Sequence, residues 1–141
     1  MRPVAGTLSA QDKVALVRAV YEGVAAGDPV PFVNLLHPDV SWHFPGTSWM
    51  GGDVHGAPAV LQLFADIARM TGGTFSPVPR HIVGDDEVVV SVVEASASFE
   101  GRALATPVCV VWRFEGDKVV DGREHIFDVA AVDAFWGDAQ P

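Results

Sequence analysis

From His37 to Gly56 the chain reads HPDVSWHFPGTSWMGGDVHG. That stretch offers proton chemistry and a wall for a small molecule at once. The imidazoles of His43 and His55 titrate near neutrality, so each can act as acid or base or hydrogen-bond a carbonyl. Trp42, Phe44, Trp49 and Met50 supply large apolar side chains beside them, the mixture that lines a small-molecule cavity. Glu94 interrupts VVEASAS and would be costly to bury without a partner. It reads first as the partner of an arginine such as Arg113, and otherwise as exposed or catalytic. The histidines at 37, 43, 55, 81 and 125 form no tight cluster with Cys or Asp at ligand spacing, so no metal is expected. The single cysteine, Cys109, sits in the buried-strand pattern PVCVVW and reads as an inert core thiol. No glycine-rich nucleotide loop leads from a strand into a helix, and there is no GxSxG elbow. Chemistry here would therefore run on acid–base side chains without a cofactor.

The elements that must position these groups follow from capping signals and periodicity. Ser9 and Asp12 form a capping-box pattern. Val14, Val17, Tyr21 and Val24 then recur at helical spacing, and Gly27 ends the helix. Asp28-Pro29 starts a short second helix with Phe32, Val33 and Leu36 on its apolar face, ended by His37-Pro38. Val40, Trp42 and Phe44 alternate with Ser41 and His43, which predicts a strand over 39–44. If the aromatics face inward, His43 faces outward, and a place on the sheet or dimer surface is read ahead of a catalytic one. Pro45-Gly46 opens a loop to Gly56, in which His55 is solvated or overhangs the cavity mouth.

A third helix begins near Pro58, with Val60, Phe64, Ile67 and Ala68 on one face, and stops at Gly72-Gly73. Phe64 joins the candidate lining. From residue 74 the period becomes strand-like. Pro77 and Pro79 mark 74–83 as an edge strand. EVVVSVVEASASF, RALATPVCVVWRF and KVVDGREHIF follow, joined by short turns as an antiparallel meander. Trp112 shares parity with Val108 and Val110 and is expected on the cavity face. Residues 129–136 read as a short amphipathic helix. Helices grouped on one face of a largely antiparallel sheet describe an α+β fold, and 141 residues fit one domain.

Composition narrows the partners. A net charge of −9, with only Lys13, Lys118 and seven scattered arginines, argues against nucleic acid and anionic lipid. No run is apolar enough to cross a membrane, and the opening MRPVAGTLSAQDK lacks the hydrophobic stretch of a secretory signal. With one cysteine and no internal disulfide, a cytoplasmic location is expected. VVVSVV and VCVVW are apolar on both faces, so the outer sheet face calls for cover. A symmetric homodimer is the expected supply.

Tyr21 ahead of AAGD, HPDVSWHFPG, the helix after HGAPAV, and the closing WRFEGDKVVDGREHIFD and VDAFWG together resemble the SnoaL-like branch of the nuclear-transport-factor/ketosteroid-isomerase superfamily. The likeness spans roughly residues 10–137. It implies a cone: a strongly curved mixed or antiparallel sheet wrapped around helices, enclosing a deep apolar cavity and pairing through its convex face. Ketosteroid isomerases of this group carry a base carboxylate where this chain has Phe44, and a neutral acid where it has Val110. Their helix-one tyrosine could correspond to Tyr21. Steroid isomerisation by the usual route is therefore not expected. Epoxide hydrolases of the group use an Asp–Arg–Asp set, for which Glu94, Arg123 and Glu124 are the nearest material. Neighbours on a strand point opposite ways, however, so Arg123 and Glu124 cannot both face one cavity. Cyclases of this fold use a carboxylate or histidine near the pocket, and Glu124 and His125 match that place approximately.

The resemblance thus implies an apolar pocket for a small hydrophobic molecule. Two readings of its use remain: a cofactor-independent isomerase, cyclase or hydrolase, or a non-catalytic binding or accessory protein. A polar group with its functional atoms inside a closed apolar cavity would favour the enzyme.

Overall fold

The computed structural model describes residues 8–141. Most of the opening segment read for a secretory signal lies outside the described residues. Helix α1 (Ala10–Ala26) starts on the expected capping box, with Ser9 Oγ accepting from the Asp12 amide at 3.1 Å, and stops at Gly27 in the left-handed region. Helix α2 (Val30–Leu35) follows, its first amide held by Asp28 at 3.0 Å. Strand β1 (Leu36–Phe44), strand β2 (Gly52–His55), helix α3 (Ala57–Met70), strands β3 (Ser76–Gly84), β4 (Val88–Phe99), β5 (Arg102–Glu115) and β6 (Lys118–Ile126), and helix α4 (Val129–Trp136) complete the order.

The six strands form one sheet in the order β2-β1-β6-β5-β4-β3. The expected meander is present, and β3 with its two prolines lies at an edge. Two features differ from the sequence reading. The segment after Pro45-Gly46 is not all loop, because Gly52–His55 pairs with β1 as the other edge strand. Strand β1 also begins at Leu36, before Pro38, where the sequence placed the end of the second helix; it runs parallel to β6, which makes the sheet mixed, one of the two forms the resemblance implied. Pro38 is tolerated because it falls inside a register shift between Leu36 and Ser41, where the ladder is already interrupted. Further shifts at Pro79/His81 and Arg113/Phe114 add bends to the sheet. Helix α1 packs on β3 and β4, α3 on β1, and α4 on β5. Among the described residues no helix is long and apolar enough to cross a membrane.

One row of the sheet organises the interior. Trp42 on β1 and Trp112 on β5 are both register partners of Gly122 on the intervening β6. The two indoles meet edge to face at 5.2 Å over that glycine. A Cβ at position 122 would fall on the six-membered ring of Trp42, so the row can close only because the middle residue has no side chain. Phe32 and Phe64 pack on Trp42 from the helix side, each with a ring centroid 5.6 Å away.

The outer face carries a different cluster. His43 Nδ1 meets Asp53 Oδ1 of β2 at 2.6 Å, and its Nε2 meets Asp121 Oδ1 of β6 at 2.7 Å. Burial opposes the charge on this imidazole, but bonds to two carboxylates outweigh it and raise the pKa above 6.5. His43 therefore ties three strands together as an imidazolium. A raised folded-state pKa stabilises fully below the ordinary value and less as pH climbs through the raised one.

Two outcomes are expected. Gly122→Ala should lose about 1–3 kcal/mol in urea unfolding through forced displacement of the Trp42 indole; unchanged stability would show that the row is loosely packed. His43→Gln should lower the melting temperature near about pH 6 and much less near about pH 9. An equal drop at both values would rule out the charged clasp.

Candidate functional site

Between the helices and the inner sheet face lies a cavity of about 480 Å³, walled by all four helices and every strand except β2. Its surface is almost wholly apolar. Four described lining residues carry polar side chains apart from the indoles: Tyr21, Thr71, Thr106 and Glu124. The threonines are already engaged with backbone. Thr71 Oγ1 donates to the Ile67 carbonyl at 2.7 Å, and Thr106 Oγ1 bonds the Pro107 carbonyl and the Asp128 amide. Tyr21 and Glu124 are left as the groups able to address a guest.

Glu124 points inward because it alternates with Arg123 and His125 and follows Gly122 by one full period of the strand. Its Oε2 accepts from Trp42 Nε1 at 3.1 Å. Oε1 makes no hydrogen bond among the described residues and is left to the cavity. The residue keeps accessible surface, but that surface is cavity wall, and the carboxyl is fully enclosed by the protein. Burial lifts its pKa from 4.5 to about 7, against the smaller opposing pull of the Trp42 hydrogen bond. An acid in this setting is divided between its two protonation states near neutrality.

Tyr21 enters from α1. Its hydroxyl lies 2.8 Å from Ser91 Oγ on β4, and Ser91 Oγ also accepts from Trp112 Nε1 at 2.9 Å. Indole N–H is a donor only, so Ser91 can accept from Trp112 and pass its own proton toward the tyrosine oxygen. That leaves the Tyr21 proton for a guest. Burial, and then the charge of nearby Glu124, raise the Tyr21 pKa and keep the phenol protonated, while its bond to Ser91 pulls the other way.

The expected lining residues divide as follows. Tyr21, Trp42, Phe44, Met50, Phe64, Val110 and Trp112 line the cavity, and Glu124 joins them. Trp49 does not. Its ring packs edge-on against Trp136 at 5.2 Å, behind a loop whose Thr47 and Ser48 amides are pinned by Asp133 of α4. His55 is also outside, bonded to Ser41 on the outer face at 3.0 Å, because β2 formation fixes its direction. Of the three acid–base candidates, only Glu124 reaches the cavity. His43 is held in its outer clasp, as alternation implied, and His125 is exposed across the ladder from Cys109. Glu94 and Arg123 are exposed, so no Glu–Arg–Glu set assembles, and Arg113 pairs with Glu115 rather than Glu94. The sequence reading missed Ser91, although it interrupts VVVSVV on the inward parity and is fully buried. It also missed Trp136 of α4, which lines the cavity and bonds Met50 Sδ through its Nε1 at 3.1 Å.

The geometry around Val110 bears on the resemblance. Val110 is the register partner of Glu124 on one side and of Ser91 on the other. A carboxyl therefore reaches the neighbourhood of Val110 from the adjacent strand.

Comparison with known proteins fits this architecture. Bal32a, from a soil-derived mobile gene cassette, is 34% identical with a TM-score of 0.86, covering 90% of this chain and 98% of its own. A protein of unknown function from Xanthomonas campestris with a cystatin-like fold is 25% identical with a TM-score of 0.83, over 89% and 98% of the two chains. An uncharacterised protein of Mycobacterium tuberculosis is 26% identical over 122 residues, 86% of this chain and 93% of its own length. The SnoaL-like domain family matches residues 17–122 and so stops two positions before Glu124. On that match, and on the fold it shares with these relatives, the chain belongs to the SnoaL-like domain family.

Proposed function

We propose that this protein is a cofactor-independent acid–base enzyme for a small hydrophobic molecule held in the cavity, with Glu124 as the proton-transferring group. One observation carries the reading: a carboxyl with a pKa of about 7 opens into an apolar cavity through an oxygen that no described protein donor engages. A structural carboxylate would be paired, and a binding pocket for an apolar guest would not need one. In the ionised state Glu124 can remove a proton from a carbon beside a carbonyl. Tyr21, polarised through the Trp112–Ser91 chain, can hold the carbonyl oxygen as negative charge develops there. Proton removal, followed by return of the proton elsewhere or attack of the carbanion within the same molecule, covers isomerisation and cyclisation. Hydrolysis of an epoxide is not favoured, because among the described residues no arginine accompanies Glu124 in the lining.

We further read the outer sheet face as the seat of a second copy of the chain. Val90, Val92, Cys109 and Val111 form an apolar stripe at its centre, and Val92 is 37% exposed. Charged His43, Asp121 and Arg123 flank the stripe on the β6 side, and Glu94 lies beyond its end on β4, so polar groups border an apolar middle.

Nitrobenzisoxazole serves as a probe for the first reading. A base takes its ring C–H proton, the N–O bond breaks, and a coloured cyanophenolate leaves, so a desolvated carboxylate is reported directly. Turnover should rise with pH through a midpoint near 7. Glu124→Gln should lose at least about 100-fold. Trp42→Phe, which removes the donor and keeps an aromatic ring, should move the midpoint upward; turnover indifferent to both changes would reject Glu124 as the base. For the second reading, sedimentation should give a dimer that Val92→Arg converts to a folded monomer, and a monomeric parent chain would remove it.

A further inference from the structure

We propose that the cavity discriminates by charge, accepting uncharged hydrophobic molecules and rejecting anions, with Glu124 as the residue that sets the filter. The inference rests on the cavity being the binding site proposed above. It concerns what the cavity admits rather than what is done there.

The wall contains no Lys, Arg or His among the described residues. Five of the lysines and arginines are engaged elsewhere. Lys13 donates to the Asp86 carbonyl and Lys118 to the Asn34 carbonyl. Arg69 pairs with Asp66 at 3.4 Å and Arg113 with Glu115 at 3.8 Å. Arg102 gives its Nε to the Phe135 carbonyl at 2.8 Å and faces Glu100. A carboxylate, sulfonate or phosphate entering the cavity would lose its water and gain no counter-charge. It would also share a low-dielectric space with the one ionisable carboxyl there, at short range and with little screening.

The approach is equally unhelpful to an anion. Val24, Pro29, Val33, Ala65 and Ala68 are exposed and also line the cavity, which places an apolar rim between the α1–α2 corner and α3. The whole chain carries a net charge of −9, so long-range fields also turn anions away. An uncharged molecule meets none of these penalties. It gains burial against Trp42, Trp112, Phe32 and Phe64, and finds a donor in Tyr21 and a donor or acceptor in Glu124. The substrate class is therefore an uncharged, largely apolar compound with a carbonyl or hydroxyl, free of acid groups. An acid precursor would have to be esterified or decarboxylated before it reached this protein.

Phenylnaphthylamine and anilinonaphthalenesulfonate test this directly, since they share one ring skeleton and differ by a sulfonate. Fluorescence titrations near about pH 8, where Glu124 is ionised, would count only sulfonate displaced by the neutral probe, which excludes binding on the outer face. The sulfonate should bind at least about 30-fold more weakly than the amine, a difference reachable by one like-charge contact at low dielectric. Its affinity should rise as pH falls through the Glu124 midpoint of about 7. Glu124→Gln should abolish that pH dependence and narrow the gap by raising the affinity of the sulfonate. Equal affinities in the parent protein would overturn the filter while leaving proton transfer intact. A gap that neither pH nor Glu124→Gln alters would mean rejection by shape, and would overturn the role of Glu124. Failure of both probes to bind would remove the cavity as a binding site and the proposed function with it. Discrimination without any turnover of the proton-transfer probe would leave the filter standing and sink the enzyme.

Discussion

Trp42 rests over a residue that has no side chain, and much of the interior depends on that fit. Gly122 leaves a slot on the inner face of β6 that the indole fills, and Trp112 closes the same slot from the other side. Seated there, Trp42 is 1% exposed and presents its N–H along the strand toward Glu124, two residues beyond the glycine. A single close approach of backbone to ring thus fixes the aromatic floor and aims the one donor that, among the described residues, engages the buried acid. Phe32 and Phe64 then pack edge-to-face on the same indole, which connects α2 and α3 to the sheet.

A carboxyl inside such a floor is a thermodynamic liability. Raising its pKa from 4.5 to about 7 means that charging Glu124 above neutrality costs the folded state about 3 kcal/mol. The sign follows from proton counting. Between those two values the folded protein holds a proton that the unfolded chain has released, so stability falls as pH rises through the interval. That cost is what remains after the hydrogen bond from Trp42 has offset part of the burial penalty. Leu or Met at position 124 would pack the cavity wall without any such loss. An acid where an apolar residue would be more stable is the pattern expected of the proton-transfer role proposed for Glu124.

Much of the fold was legible because its signals are local. The Ser9–Asp12 box, Gly27, the Pro58 start and the three strands with short turns each depend on a few neighbouring residues, and all are present. Strand β2 was not legible, because four residues that open on the second of two glycines carry too little alternation. It exists through pairing with β1, a long-range contact. Position along a strand was equally readable: alternation placed Trp42, Phe44, Val110 and Trp112 on one face and His43 on the other. Alternation fails where the partner lies far away in sequence. Trp49 sits in a loop with no period, and its direction is set by Trp136 and by Asp133, more than eighty residues on. His125 and Glu124 looked equivalent as residue types near the end of a strand. Only the inward direction of Gly122, revealed by the Trp42 contact, separates them.

The Val110 position shows how a residue type can be missing from one strand and present on the next. The resemblance sets Val110 where ketosteroid isomerases carry a neutral acid, and taken strand by strand the loss of that acid looks like loss of chemistry. Across the ladder the picture differs, because a register pair brings Glu124 alongside Val110 while Ser91 flanks it from the other strand. A sheet offers the same point in space to three adjacent strands, and a side chain two positions from a glycine-seated indole is as well fixed as one on the original strand. Glu124 is enclosed and held by the Trp42 indole N–H, although it stands on β6 rather than β5. A comparison made position by position along β5 alone therefore passes over a carboxyl that the β5–β6 register sets beside Val110.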